Sequence, residues 1–460
     1  MIEKGRTMVR TREGGNGITD GVIWKQILIF FFPLLFGTFF QQLYNTADAI
    51  VVGRFAGKEA LSAVGGTTGT LINVFVGFFV GISTGATVTI SQYYGGKNKE
   101  DVSKAVHTAI AMAIVGGAII MLIGLIGAPA ALRMMGTPEE IMPYSLTYIR
   151  IYFAGMIANL VYNVGAGILR AIGDSRRPLY YLIISCFINI VLDLIFVVLF
   201  HWDVMGVALA TVISQICSAI LICITLMRTK DCYQLRWKEL CFHKIMLRRI
   251  IQIGLPAGFQ SLMYSSSNVI IQANMNSFGT DTIAAWTAFG KMDGIFWMTM
   301  NAFGISVTTF VGQNYGAGRY DRVRKGAKVC LRMAMSVAIG LSAILYFTGP
   351  YIYRLFTTDA LVVDKGMEIL QIMVPTFWTY VFIEIFSGSL RGMGNSFIPM
   401  ILTSLGVCAL RVLWLFTIVP LRPEVSTVIY SYPITWSVTS VLFIIYYIYY
   451  TKKLLPERVA

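Results

Sequence analysis

Apolar residues in this chain fall into long blocks separated by short polar stretches. Reading block by block gives twelve candidate spans: 25–52, 61–92, 105–128, 141–167, 178–200, 205–227, 247–277, 283–313, 326–348, 366–389, 396–420 and 427–450. A helix rising 1.5 Å per residue crosses a bilayer core in about 20 residues, so each block is long enough. Period-2 segments of the membrane-barrel kind are absent, and a backbone in lipid must satisfy its own hydrogen bonds. The expected fold class is an all-α polytopic membrane protein with twelve transmembrane helices.

The chain also repeats itself. Gly167–Ile168–Leu169–Arg170–Ala171–Ile172–Gly173–Asp174 returns as Gly388–Ser389–Leu390–Arg391–Gly392–Met393–Gly394–Asn395, an offset of 221 residues. The same offset carries Gln92, Tyr94 and Gly95 onto Gln313, Tyr315 and Gly316, and Pro33 finds a counterpart in Pro256. The one sizeable hydrophilic interruption, 228–246, falls between spans 6 and 7. We therefore expect a six-helix lobe at 1–227, a cytoplasmic linker at 228–246 and a second lobe at 247–460. Six spans return the chain to its starting side, so the halves are parallel repeats, a plan in which substrate binds between them.

Composition agrees. Hydrophobic residues make up 56% and charged ones 13%, against about a quarter charged in soluble domains, and mean hydropathy is +0.69. The net charge of +14 concentrates in the tails and even-numbered loops: Arg228, Lys230, Arg236, Lys238, Lys244, Arg248 and Arg249 in one, Arg319, Arg322, Arg324, Lys325 and Lys328 in another. This positive-inside bias places both termini in the cytoplasm of a multi-pass cell-membrane protein and excludes nucleic acid as the partner. Glu3 and Glu13 precede the first span, which reads as a retained helix and not as a cleaved signal peptide. The seven cysteines lack metal or disulfide spacing, the three histidines lie far apart, and no phosphate-binding loop is present. No cofactor is expected, and Gly81–Ile82–Ser83–Thr84–Gly85 is a chance nucleophile-elbow match inside an apolar helix.

These residues resemble the multidrug and toxic compound extrusion (MATE) family. The resemblance runs from Pro33 through Leu43–Tyr44–Asn45–Thr46–Ala47–Asp48 and Gln92–Tyr93–Tyr94–Gly95 to Val311–Gly312–Gln313–Asn314–Tyr315–Gly316, and includes both Gly-x-Leu-Arg stretches. It implies an efflux antiporter, coupled to H⁺ or Na⁺, with two lobes around a central cleft, working as a monomer on amphipathic, often cationic organic compounds. In prokaryotic relatives an Asp on helix 1, an Asn and Asp four apart on helix 5 and a Thr on helix 6 are associated with cation coupling. The matching positions are Asp48, Asn189, Asp193 and Thr211.

Ionisable groups in apolar spans are functional hypotheses in their own right. Asn189 and Asp193, one turn apart, share a helix face. With Asp48 they could take up a proton, bind Na⁺, or form a structural hydrogen-bond cluster. The second half offers Lys291, Asp293, Glu384 and Arg411, which could neutralise one another; Asp293 and Glu384 could instead face the cleft and draw in a cationic substrate. Met292, Phe296, Trp297 and Met298 could line that cleft. Arg170 and Arg391 are expected to cap helix ends, with phosphate binding the minor reading. A lipid-linked glycan flippase of similar plan and a membrane-embedded enzyme are the rival functions. The first would need a cationic cavity, the second a nucleophile–base or metal set.

Overall fold

The computed structural model describes residues 17–357 and 359–454, and these contain helices and no strand. Glu3 and Glu13 lie outside the described residues. Along the chain run α1 (Ile23–Ala56), α2 (Lys58–Gly95), α3 (Lys99–Met134) and α4, whose two pieces Met142–Ala154 and Met156–Ala171 meet at 49°. Then follow α5 (Arg176–Leu199), α6 (Asp203–Arg228) and α7 (Lys244–Asn276). The second half continues with α8 (Thr280–Gly316), α9 (Tyr320–Phe356), α10 (Ala360–Gly392), α11 (Phe397–Thr417) and α12 (Val425–Leu454). Ten of these are long and apolar enough to span a bilayer, α2 with an interruption at Gly66, and the bent α4 is an eleventh. α7 is less apolar because Gln260, Ser261, Tyr264, Ser265 and Asn268 face the central cavity instead of lipid.

Local chemistry sets the helix ends. Gly173 (φ 100°) and Gly394 (φ 91°) adopt the left-handed conformation that glycine takes without steric cost, closing α4 and α10. The next residue then caps the following helix. The Asp174 carboxylate accepts from the backbone N–H groups of Arg176 and Arg177, both at 3.1 Å, and Asn395 accepts from Ile398 at 3.4 Å. The duplicated stretch is thus a helix stop joined to a helix start. Pro33 and Pro256 lie inside unbroken helices, whereas the bend in α4 falls at Gly155, where Val212 of α6 occupies side-chain space only 2.7 Å from where a Cβ would sit.

Packing exchanges the first turns of the halves. Ile27, Phe30, Phe31 and Leu34 of α1 belong to the hydrophobic cluster of the second half, with Phe31 stacked on Phe303 at 4.1 Å. Met246 and Ile250 of α7 reciprocate in the first-half cluster. Small residues let α2 and α7 cross closely: a Cβ on Gly81 would lie 2.5 Å from Gly258 Cα, and one on Gly254 would lie 2.5 Å from Ile82 O.

The halves meet tightly at the end that carries the described termini. Gln92 donates from Nε2 to Gly392 O at 2.7 Å, and Gln313, its counterpart, donates to Ala171 O at 2.6 Å. Each carbonyl ends a helix, where no intrahelical N–H is available. Gly95 rests on the Gln313 backbone and Gly316 on the Gln92 backbone, with no space for a Cβ at either. Arg249 reinforces the seam with Nη1 to Tyr93 at 2.7 Å and Nη2 to Gln92 Oε1 at 2.5 Å. At the opposite end Gln42, Asn45, Asn268 and Lys291 are exposed, so the cleft opens away from the termini.

Candidate functional site

Two cavities that share Val80, Asn163, Arg170, Asn301 and Ile305 fill the cleft. The larger, about 660 Å³, runs along α1 and is lined by Tyr44, Asp48, Tyr148, Tyr152 and Thr211. The smaller, about 370 Å³, lies between the halves above the sealed end and is lined by Gln260, Tyr264, Asn301, Thr308, Glu384, Arg170 and Arg391.

The structure gathers the four first-half residues expected to act together. Asp48 is 5% exposed, Asn189 1%, Asp193 0% and Thr211 2%. The Thr211 hydroxyl, 3.0 Å from Val207 O, shares its proton with Asp48 Oδ2 at 3.3 Å, and Asn189 and Asp193 stand beside the same carboxylate. With both carboxyls ionised, Asp48 Oδ1, both Asp193 oxygens and both side-chain polar atoms of Asn189 are buried without a donor or acceptor in good geometry, while the Asp48 and Asp193 carboxyls lie within reach of a proton shared between them. Such atoms are costly unless something binds them. Two carboxylates, an amide oxygen and a hydroxyl suit a proton or a hard monovalent cation, and the described residues contain no cluster of three or more His, Cys, Asp or Glu that a multivalent metal would favour. Asp48 and Thr211 connect this set to water, because both line the larger cavity while Asn189 and Asp193 do not.

Helix irregularity accompanies the set. α5 changes to a π turn, Leu194–Leu199, immediately after Asp193, and α1 does so at Val52–Ala56, four residues beyond Asp48. Such wide turns release backbone groups from the regular ladder and recur at functional sites.

The four second-half charges do not neutralise one another, and of the two acids that could face the cleft Glu384 does and Asp293 does not. Glu384 lines the smaller cavity and pairs with Arg391 at 3.7 Å, and it also accepts from the Tyr380 hydroxyl at 3.2 Å. No ion pair among the described residues joins Lys291 or Arg411 to Asp293 or Glu384. Arg411 instead lies over the Tyr432 ring at 4.0 Å and donates to Thr435 at 3.4 Å, while Lys291 lines the larger cavity. Asp293 accepts from Trp297 Nε1 at 2.9 Å and lines neither cavity. Met292 and Phe296 are buried core residues and no cleft wall: α8 turns that face onto α10, where Phe296 stacks on Phe377 at 4.1 Å.

Arg170 and Arg391 point into the cavity, leaving capping to Asp174 and Asn395. The tyrosines of the larger cavity carried no sequence signal, since aromatic residues pack membrane helices everywhere. Arg170 did carry one, as a charge in a duplicated segment at a span end.

Comparison with known proteins agrees with this architecture. The family description MatE matches residues 33–195 and 256–417, one segment in each half and most of the chain. The probable multidrug resistance protein YoeA of Bacillus subtilis is 28% identical over 442 residues, covering 94% of this chain and 95% of its own. A MOP superfamily transporter from Pyrococcus furiosus, described by the reverse polarity of its binding pocket, superposes with a TM-score of 0.89 at 22% identity, covering 96% of this chain and 98% of that one. A MATE crystal structure in the bent conformation gives the same TM-score and identity over 95% and 98%. Twelve helices in two repeats, a cleft between them and this match over both halves make the chain a member of the MatE family, a multi-pass multidrug efflux transporter and not an enzyme.

Proposed function

We propose that this transporter exports amphipathic, often cationic organic compounds in exchange for H⁺ or Na⁺ by alternating access. The observation that carries the reading is the burial of Asp48 and Asp193 together, with orphaned oxygens, at the wall of the cleft. Two anionic carboxylates side by side in low dielectric repel each other, and a proton or a monovalent cation relieves the cost. Ion uptake through Asp48 then alters how α1 packs against α5 and α6, and cargo in the adjoining cavity leaves. Loss of the ion on the other side resets the cycle.

In this scheme the halves, 1–227 and 247–460, move against each other across the 228–246 connection, as a monomer in the cell membrane. Both termini are cytoplasmic, so the open end of the cleft faces outward. The basic loops at the sealed end support that orientation.

Efflux from proteoliposomes under separately imposed pH and Na⁺ gradients tests the scheme. One gradient should drive export in the wild type, and Asp48→Asn and Asp193→Asn should each abolish that response while leaving cargo binding measurable. Intact ion-driven efflux in both variants would refute the coupling role.

A further inference from the structure

Arg170 and Arg391 occupy the same position of the repeat and line the same cavity, yet they are not equivalent electrostatically. Two helical turns before Arg391 stands Glu384, which neutralises it at 3.7 Å. Two turns before Arg170 the repeat places Asn163, an uncharged amide that donates to Asn159 O at 2.9 Å and to Asn159 Oδ1 at 3.1 Å. Arg170 has no ion pair and no hydrogen bond among the described residues, and its Nε is buried without a partner. The Nε of Arg391 is likewise unpartnered. Between the halves, then, two guanidiniums face one carboxylate, and the unmatched one borders both cavities.

A guanidinium in a confined cleft pays for desolvation unless an anion meets it, and its planar fork matches a carboxylate or phosphate with two parallel hydrogen bonds. A purely structural arginine would be expected to spend its donors on carbonyls or an acid nearby, as Arg322 does with Ile18 O at 3.1 Å and Gly21 O at 2.8 Å. Arg170 spends none.

We propose that Arg170 is the docking point for an oxyanion, a carboxylate or phosphate, carried by the transported molecule. The cargo then includes zwitterionic and acidic amphiphiles beside cations. The site rests on the transport reading only in calling its ligand cargo.

A matched dye pair tests this. Rhodamine 110 carries a free carboxylate, and rhodamine 123 is its methyl ester. Fluorescence polarisation with the full chain in dodecylmaltoside gives both affinities without any ion gradient. The wild type should bind the carboxylate dye more tightly, and inorganic phosphate should compete with it and not with the ester. Arg170→Gln should weaken the carboxylate dye about tenfold or more and change the ester less than about twofold. Arg170→Lys should fall between.

Asn163→Glu supplies the acid that the other repeat already has, and should weaken the carboxylate dye in the same sense. That variant keeps the test informative if Arg170→Gln folds poorly. No binding of the carboxylate dye, no preference over the ester, or equal effects on both dyes would overturn the proposal. Phosphatidylglycerol serves as a second competitor. Competition by the lipid tighter than the carboxylate dye's own affinity would assign the site to a resident lipid headgroup and overturn the cargo assignment, whereas competition weaker than the dye's affinity supports it. Because no gradient is involved, failure here leaves antiport standing, and failure of ion-driven efflux leaves this site standing.

Discussion

Replacing Gln313 with Ala removes the amide that satisfies Ala171 O across the sealed end, and leaves its equivalent, Gln92 to Gly392 O, in place. Gln313 is 0% exposed, so the freed carbonyl gains no water while the end stays shut. A buried group stripped of its partner costs about 1–3 kcal/mol. Opening the end restores hydration, so the cost falls on the closed state. At about 1.4 kcal/mol per tenfold, transient opening should become about 5- to 150-fold more frequent. Hydrogen exchange of the full chain in detergent reads this directly, because amides near Gly95 and Gly316 exchange through such openings. Their protection should fall by that factor in Gln313→Ala and not in Gln272→Ala, whose side chain is exposed on the far part of α7 and reaches only Asn276. Gln92→Ala should act in the same direction and more strongly, since it also strands Arg249. Protection at the seam unchanged within about threefold would show that these bonds do not hold the end closed.

Thr211→Val keeps the shape and removes the hydroxyl that donates to Asp48, so the coupling-ion concentration for half-maximal efflux should rise about 2- to 10-fold, with Thr211→Ser restoring it. Equal ion dependence in all three would remove Thr211 from the site. Gly254→Val forces a side chain into the 2.5 Å gap to Ile82 O and should destabilise the fold by about 1–3 kcal/mol, seen as a lower Tm in detergent. Gly340→Ala, which meets nothing within 4 Å, should leave Tm unchanged.

Much of this molecule was legible in its sequence because two signals are strong in membranes. Spans must be apolar and long, and a duplication preserves register, so twelve helices and two halves could be read directly. Asn189 and Asp193 share a face by their spacing, but that Asp48 and Thr211 join them was implied by the resemblance to the MATE family and not by the pattern of the chain. Rotation of each helix was not legible. In water an apolar stripe marks the inward face, but lipid is as apolar as a core, so nothing in the α8 sequence says that Met292 and Phe296 point to α10. The same blindness misassigned Lys291 and Arg411, whose partners depend on rotation as much as on position. At the Gly155 bend Val212 of another helix leaves no space for a side chain, a long-range contact that no local pattern encodes.

The paired glutamine contacts at the sealed end have the form of an isologous dimer interface: residue i of one half meets residue j of the other, and j meets i. Two separate subunits joined by so small a polar contact, without the exchanged starts of α1 and α7, would drift apart whenever it broke. Here the 228–246 connection keeps the broken contact intramolecular, at an effective concentration of order millimolar. Rebinding is then fast and needs little affinity. A tethered pair can therefore afford a seam weak enough to part on every cycle, which an untethered dimer of the same halves could not.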